Sequence, residues 1–449
     1  MGLLDTLNVG ASGLSVASAG IHTTAQNVSN AHTPGYTRRG VEQSVNDPIS
    51  TGIVHLGQGV SLDAVSRDQD GLLGMQRVVA AGDASASASY HDALAEVQPL
   101  VDETMSSGAR SRLSSFFDTL ALATSDPSDP GLRGAVIQAT GDLADALSRT
   151  AEGLSSARET FESSIELSLP PLSEKLQEVA LLNERLIAAG GAGKAPDIAD
   201  QIDRIVRELG EEGGFTAELE ADGTSTVMLD GHAVVSGTDA REISVAPPAS
   251  IRIGVGGGAV VVEPGGRIGG LARAHEAVEG YAEQLDTFAA GFAESVNDAQ
   301  ALGFDQDGDP GQPLFVFDPS SPAGSLALAD GIGGAQLAFA GSPAAAAGDG
   351  ANLATLLDLE DQPLIDGRTP GDALSALTEA VAGEVAAAGT RAERDRLVLS
   401  DLDTLSANLH GIDLDEEASK LMSYQTAYQA SAKVLTVANE LLGTLLEIA

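Results

Sequence analysis

The chain contains no cysteine and no tryptophan, and aromatic residues make up only 3% of its 449 positions. Without cysteine there is no disulfide, no thiol nucleophile and no cysteine metal site. So few aromatic side chains argue against an enzyme with a shaped organic pocket. No stretch of 18 apolar residues occurs, so no membrane-spanning helix and no membrane insertion are expected. The first 30 residues lack a basic segment followed by an apolar one, so no Sec-type signal peptide is expected. Positive charge is also scarce: 24 Lys and Arg face 65 Asp and Glu, a net charge of −41. Nucleic acid and anionic membrane surfaces repel such a field and are excluded as natural partners.

Catalytic patterns are missing too. The seven histidines (His22, His32, His55, His91, His232, His275 and His410) are scattered, and no two stand at metal-ligand spacing on one helix. They read as isolated surface or turn residues. There is no H-E-x-x-H, G-x-S-x-G or Walker loop. Gly254-Val255-Gly256-Gly257-Gly258-Ala259 fits the dinucleotide pattern, but Val260-Val261-Val262 and Pro264-Gly265 follow where a helix start is required, so a hairpin loop is expected. Asp305-Gln306-Asp307-Gly308-Asp309 begins like a calcium loop, yet an EF-hand needs Gly and Glu where Pro310 and Val316 stand. A turn held by aspartate side chains is the better reading. No catalytic residue, cofactor or metal is expected.

What the chain does contain is heptad periodicity at both ends. From Asp413 to Ile448, Leu414, Leu421, Tyr428, Leu435 and Leu442 repeat at seven, with Ala427, Val434, Leu441 and Ile448 as a second apolar line. This predicts one helix of about 54 Å. Gly411 breaks the chain before it, and Asp413 with Glu416 fits a capping box. Near the start, Leu7, Leu14, Ile21 and Val28 repeat in the same way, accompanied by Leu4, Ala11, Ser18 and Ala25. That line of mostly small residues predicts close approach of a partner helix. The two ends are also nearly neutral. Residues 1–62 carry −1 and 404–449 carry −4, leaving −36 for the 341 residues between. Ends that pack against copies of themselves, with a middle that faces water, would produce this partition.

Between the ends the pattern is mostly helical. Pro34-Gly35 predicts a tight type II turn, Tyr36 to Asp47 an extended segment, and Gly52, Gly57 and Gly59 a hairpin returning through Val60, Leu62 and Val65. Helices are expected around 113–120, over 132–168 with a stop at Pro170-Pro171, over 172–186, over 200–210, from Leu271 to Asn297, and over 370–409. Strand-like alternation occupies 215–262. The expected fold is therefore mainly α with a β-rich inserted domain. A terminal unit of residues 1–65 with 404–449 forms a split coiled coil. Residues 66–210 with 265–403 form a long-helix bundle core, and 211–264 a small projecting β domain.

The run Ala25-Gln26-Asn27-Val28-Ser29-Asn30-Ala31-His32-Thr33-Pro34-Gly35-Tyr36-Thr37-Arg38 resembles the N-terminal signature of bacterial flagellar axial proteins (rod, hook and hook-associated). Asp413-Leu414-Asp415-Glu416-Glu417, followed by Tyr424-Gln425-Thr426-Ala427-Tyr428, is similar to their C-terminal signature. Within that family, Leu182-Asn183-Glu184-Arg185-Leu186, Gly269-Gly270-Leu271, Asn297 and Gly303-Phe304-Asp305 resemble the hook-associated protein 1 group. Gln300 departs from it, standing where the group commonly has histidine.

The resemblance implies a structural subunit at the junction of hook and filament, secreted by type III export. The expected partners are further copies in a helical assembly, the hook protein, the next hook-associated junction protein, and a cytoplasmic export chaperone masking the C-terminal helix. The leucine lines would form the assembly surface, and the terminal helices would order only on incorporation. Residues 318–352 are too few for the extra outer β domain of larger relatives. A hook or rod subunit is the nearest alternative; the helical run 90–210 disfavours both. A secreted enzyme or ligand-binding protein built on 211–264 is the alternative from another class.

Overall fold

The computed structural model describes residues 2–33, 35–50, 55–101, 108–246, 249–255, 258–344 and 348–448. Pro34, Gly52, Gly256 and Gly257, on which turn and loop expectations rested, lie outside them. The side chain of Ile448 lies outside them too.

The chain opens with α1 (Leu3–Asn30). The Asp5 carboxylate accepts the Gly2 N–H at 3.0 Å, placing an acid at the positive end of the helix. After α1, the Thr33 carbonyl accepts the Tyr36 N–H, and Gly35 takes φ +80°. A type II turn needs that positive φ at its third residue. β1 (Arg39–Val45) and β4 (Val60–Arg67) then pair antiparallel from Arg39↔Arg67 to Val45↔Val60, and the short strands β2 (Ile49–Ser50) and β3 (His55–Leu56) extend the hairpin.

Four long helices build the centre: α2 (Gly71–Val101), α4 (Pro130–Ala189), α6 (Gly266–Ala301) and α8 (Pro370–His410), with α3 (Ala109–Ala123) and α5 (Pro196–Gly213) beside them. The 60-residue α4 starts where Asp129 accepts two N–H groups with Pro130 in the first turn. It ends at Gly190, φ +86°, whose N–H and that of Gly191 satisfy the carbonyls of Ile187 and Leu186. The expected stop at Pro170-Pro171 does not occur; one helix runs through it. Both prolines face solvent, where water reaches the carbonyls they leave unpaired. Meanwhile Ile165, Leu169, Leu172 and Leu176 continue one buried line across the site. Packing of that face outweighs a local penalty of about 3 kcal/mol per proline.

The β-rich stretch forms two small antiparallel sheets. Strands β5 (Thr216–Leu219), β6 (Ser225–Leu229), β7 (His232–Ser236) and β8 (Asp239–Ala240) lie in sequence order, and β9 (Ile243–Ala246), β10 (Ser250–Val255) and β11 (Gly258–Val262) follow. Of the glycine pattern, Gly254 and Val255 lie on β10 and Gly258 and Ala259 on β11, with Gly254 opposite Ala259. Asn183 of α4 reaches into the first sheet: its amide donates to the Ser225 and Gly237 carbonyls and accepts the Ser225 N–H. Val227, Val235, Ile251 and Ile253 are buried in the same apolar cluster as Leu182 and Leu186.

The link from α6 to α8 carries β12 (Phe315–Val316), β13 (Ala327–Leu328) and α7 (Ala351–Asp358). Residues 318–344 fold back onto the bundle, burying Ala323, Leu326, Leu337 and Phe339. Asp305 Oδ1 accepts the N–H groups of Asp307 and Asp309, both at 2.9 Å, which is the aspartate-held turn. Gln300 is buried and accepts the Ala338 N–H at 2.8 Å, so it ties this link to α6. His275 is also buried within α6, contrary to the reading of every histidine as surface or turn. At the centre, Phe116, Phe117, Phe288, Phe292 and Phe315 pack ring against ring, with centroids 5.2–6.2 Å apart. Last, α9 (Leu414–Ile448) returns along α1.

Candidate assembly interface

The chain's two ends meet as an antiparallel-in-sequence pair of helices whose contact is made of small residues. A Cβ on Gly10 would lie 3.1 Å from Leu435, one on Gly13 2.8 Å from the Ser431 hydroxyl, and one on Gly20 2.5 Å from the Tyr424 ring. Gly20 therefore leaves no room for a methyl group. The inner face of α1 runs Gly10, Ala17, Gly20, Thr24 and Asn27. On its other side Val16 and Thr23 are buried, and the Ser12 hydroxyl accepts the Val60 N–H of the hairpin.

The expected heptad lines are offset from this contact. Leu7, Leu14 and Ile21 flank it half-buried, and Val28 is exposed. The companion line is not the close-approach surface. Leu4, Ala11 and Ala25 point to solvent, because the glycines that supply the closest approach lie on a face more than a third of a turn away. On α9, Leu421, Leu435 and Leu442 are half-buried, while Leu414 and Tyr428 are exposed. The second line on α9 is Glu417, Tyr424, Ser431 and Ala438; of the expected line, Ala427 and Leu441 are exposed, while Val434, also largely open, borders the contact at Gly10. A heptad fit to apolar residues picks out leucines first, and a seam of glycine, serine and alanine carries little hydropathic signal.

A polar clasp locks the register. Asn27, buried at 1% exposure, donates to the Glu417 carboxylate at 2.8 Å and to the Arg39 carbonyl at 2.9 Å. Its oxygen accepts from the Tyr36 hydroxyl at 2.9 Å and the Arg39 N–H at 3.0 Å. Every hydrogen-bonding site of that amide is used. Glu417, completely buried, also accepts from Arg38 Nε at 3.1 Å and Lys420 at 3.3 Å. Asp413 accepts the Asp415 and Glu416 N–H groups at the helix start. Glu416, however, turns to Arg38 and Lys420 rather than closing a capping box. Those hydrogen bonds, Lys420 foremost, hold its carboxyl below the usual range.

Thus Asn27 and Tyr36 from one signature meet Glu416 and Glu417 from the other, across about 390 residues of chain. Ser29, Gln425 and Asp415 are exposed and Asn30 bonds back to the Gln26 carbonyl, so these stand outside the clasp. Sequence reasoning included Arg38 in the N-terminal signature but gave no role to Arg38, Arg39 or Arg67. The adjacent pair Arg38-Arg39, in so acidic a chain, was the available signal. Arg39 stacks over Tyr36 at 4.8 Å and pairs with Asp197 and Asp200 of α5. Arg67 pairs with Asp200 at 3.2 Å and Asp203 at 2.6 Å. Burial raises the Asp203 carboxyl despite Arg67 beside it. The hairpin arginines thereby join the terminal pair to the bundle. A cleft of about 550 Å³ beside this joint is bordered by Tyr36, Asp68, Arg77, Arg207, Asp403 and His410.

Two apolar surfaces remain uncovered. The face of α9 turned away from α1 carries Met422 and Val437, 62% and 46% exposed, with the exposed Leu441 further along the helix. Between α2 and α8 lies a groove of about 410 Å³ lined by Met75, Val79, Val398 and Leu402, with Asp83 and Asp395 among its lining residues. Partial burial, then the like charge of Asp395, raises the Asp83 carboxyl. Among the described residues no helix is long and apolar enough to cross a membrane, and no group of three or more His, Asp or Glu could hold a metal ion.

Residues 94–315 match the family model described as the flagellar hook-associated protein FlgK helical domain, and 410–448 match the flagellar basal body rod FlgEFG protein C-terminal model. The chain is 23% identical to flagellar hook-associated protein 1 of Escherichia coli, spanning 98% of this chain and 99% of that protein. It is 26% identical to the protein of the same name from Bacillus subtilis, over 96% and 95% of the two. Its fold is similar to that of the flagellar hook junction protein FlgK from Burkholderia pseudomallei, with a TM-score of 0.66, 14% identity, and coverage of 74% of this chain and 99% of that one.

Proposed function

The chain belongs to the flagellar hook-associated protein 1 (FlgK) family, and from that premise we propose how it performs the family's structural role at the junction of hook and filament. It is a subunit of the flagellum and acts by packing. The paired α1 and α9 form the inner contact element, joined by the arginine clasp to a bundle that faces outward. The observation that carries this reading is the pairing of the two ends through a glycine seam, with apolar residues left over on the outer face of α9. A seam of small residues buries little area. The leftover apolar residues are worth roughly 1.5–3 kcal/mol each once a neighbour covers them.

Copies stack through non-identical surfaces, which yields an open helical array rather than a closed ring. Hook protein lies on one side of the array and the next hook-associated protein on the other. Before incorporation the terminal helices are loosely held, and a cytoplasmic chaperone covers α9 during export. The division into terminal, bundle and β-rich units follows these roles: 1–65 with 404–449, 66–210 with 265–403, and 211–264.

A strain lacking the chain should build hooks without filaments and shed flagellin into the medium. Electron microscopy with complementation tests this directly. Wild-type chain should restore filaments, whereas Leu435→Asp, whose side chain meets Gly10, should not. Normal filaments in the deletion strain would overturn the role.

A further inference from the structure

From Ala418 to Asn439 the chain has 22 residues without a single Asp or Glu, and its only charges are Lys420 and Lys433. In a chain of net charge −41 this is a long helical face that other copies do not repel, and α1 after Asp5 is another, though α1 bears no cation. Lys420 is taken by Glu416 and Glu417. Lys433 makes no ion pair among the described residues, and it lies beside the exposed Val437 on the side of α9 opposite Glu417, Tyr424 and Ser431. The groove between α2 and α8 is its complement. Its walls are apolar, and Asp83 and Asp395 bring negative charge to it; the one cation paired there is Arg394, bonded to Asp395 at 2.9 Å. We propose that the outer face of α9 seats in the α2–α8 groove of a second copy, with Val437 against Val79 and Val398 and Lys433 reaching Asp83 and Asp395.

The occupant follows from charge and shape. An apolar groove carrying two carboxylates takes an apolar helix bearing a cation and no acid, and this chain displays one. The two surfaces differ, so each copy offers one and accepts the other, and the contact propagates instead of closing on itself. The inference rests on the assembly reading above and assigns its surfaces.

The absence of cysteine makes the test specific. Val437→Cys and Val398→Cys copies are expressed together, and each alone, in cells lacking the wild-type chain; swimming is scored, and junctions are oxidised and run on non-reducing gels. The expected result is a cross-linked dimer only in cells carrying both variants. Motile cells that yield no mixed dimer, or that yield as much dimer from either variant alone, overturn the inference while the junction role stands. Failure of the cysteine-free wild-type chain to restore filaments would instead overturn the junction role. Should the cysteine variants not support swimming, charge exchange decides. Lys433→Glu lowers assembly by roughly tenfold or more through like-charge contact, and Asp395→Lys copies supplied with it restore the loss. An unaffected Lys433→Glu strain, or no restoration, rejects the contact.

Discussion

The central bundle and the terminal helix pair come from one chain, yet they solve opposite problems. In the bundle, Leu143, Leu147, Leu154, Ile165, Leu176 and Phe292 are wholly enclosed, and five phenylalanine rings interlock. In the terminal pair the contact is glycine against leucine, serine and tyrosine, and large apolar residues sit outside it. A core is complete when its large side chains face inward. An assembly element is deliberately incomplete: it holds its own shape through a thin seam and reserves larger side chains for neighbours. Specificity in the thin seam then falls to polar groups, which here means Asn27, Arg38 and Glu417.

The contrast can be broken from either side. The largest effect is expected from Phe292→Ala, which empties the ring cluster and costs about 3–5 kcal/mol; calorimetry should show the bundle transition falling sharply while α1–α9 pairing persists. Glu417→Ala removes the buried acceptor of Asn27 and Arg38. Breaking a buried pair costs about 3–5 kcal/mol, and Glu416, still beside Arg38, places this case at the lower end. Limited proteolysis should then cut faster within 411–448 than in the wild-type chain while the bundle transition stays put. Unchanged protection there would remove the clasp from the account.

Gly20→Ala should come next. Its methyl group would collide with the Tyr424 ring, and overpacking costs about 1–3 kcal/mol. Swimming should suffer and bundle melting should not. Acidification separates the regions more gently. The Glu416 carboxyl, held low by Lys420 and Arg38, contributes stability above its unfolded pKa of about 4.3, lost as the pH falls through the lower folded value. Glu212, held low by Arg267, behaves likewise in the bundle. Asp203, raised by burial, has the opposite sign: its contribution is complete below the unfolded value and disappears as the pH rises through the folded one. Proteolysis of α9 should therefore quicken below about pH 4, and Glu416→Gln should flatten that dependence. Pro170→Ala should act least, restoring one solvent-facing helix hydrogen bond; a shift in melting of more than a few degrees would mean that the proline pair shapes the bundle.

Much of this organisation was legible beforehand. Helices over 370–409, 200–210 and 413–448, and the strands within 215–262, announce themselves through periodicity, because one face of each is buried and the other wet. The turn at Gly35 and the aspartate-held loop at 305–309 follow from local backbone chemistry. Legibility failed where tertiary contact overrules a local rule. Pro170 and Pro171 read as a stop until their outward orientation is known. His275 and Gln300 read as surface or neutral until the segments over them are placed. The clasp depended on distant partners, since nothing local tells Glu417 from its exposed neighbours Asp415 and Glu416.

By itself, then, the sequence determined that two long heptad helices stand at the ends, that both are poor in charge, that an acidic helical middle carries a β-rich insertion, and that chemistry needing thiols is absent. These properties depend on residue order over short spans. Only the tertiary structure decided which line of each helix faces the other, because glycine marks a contact by what it lacks and hydropathy does not record that. Pairing Asn27 with Glu417 required both ends to be brought within hydrogen-bonding distance, and only the folded bundle between them does so.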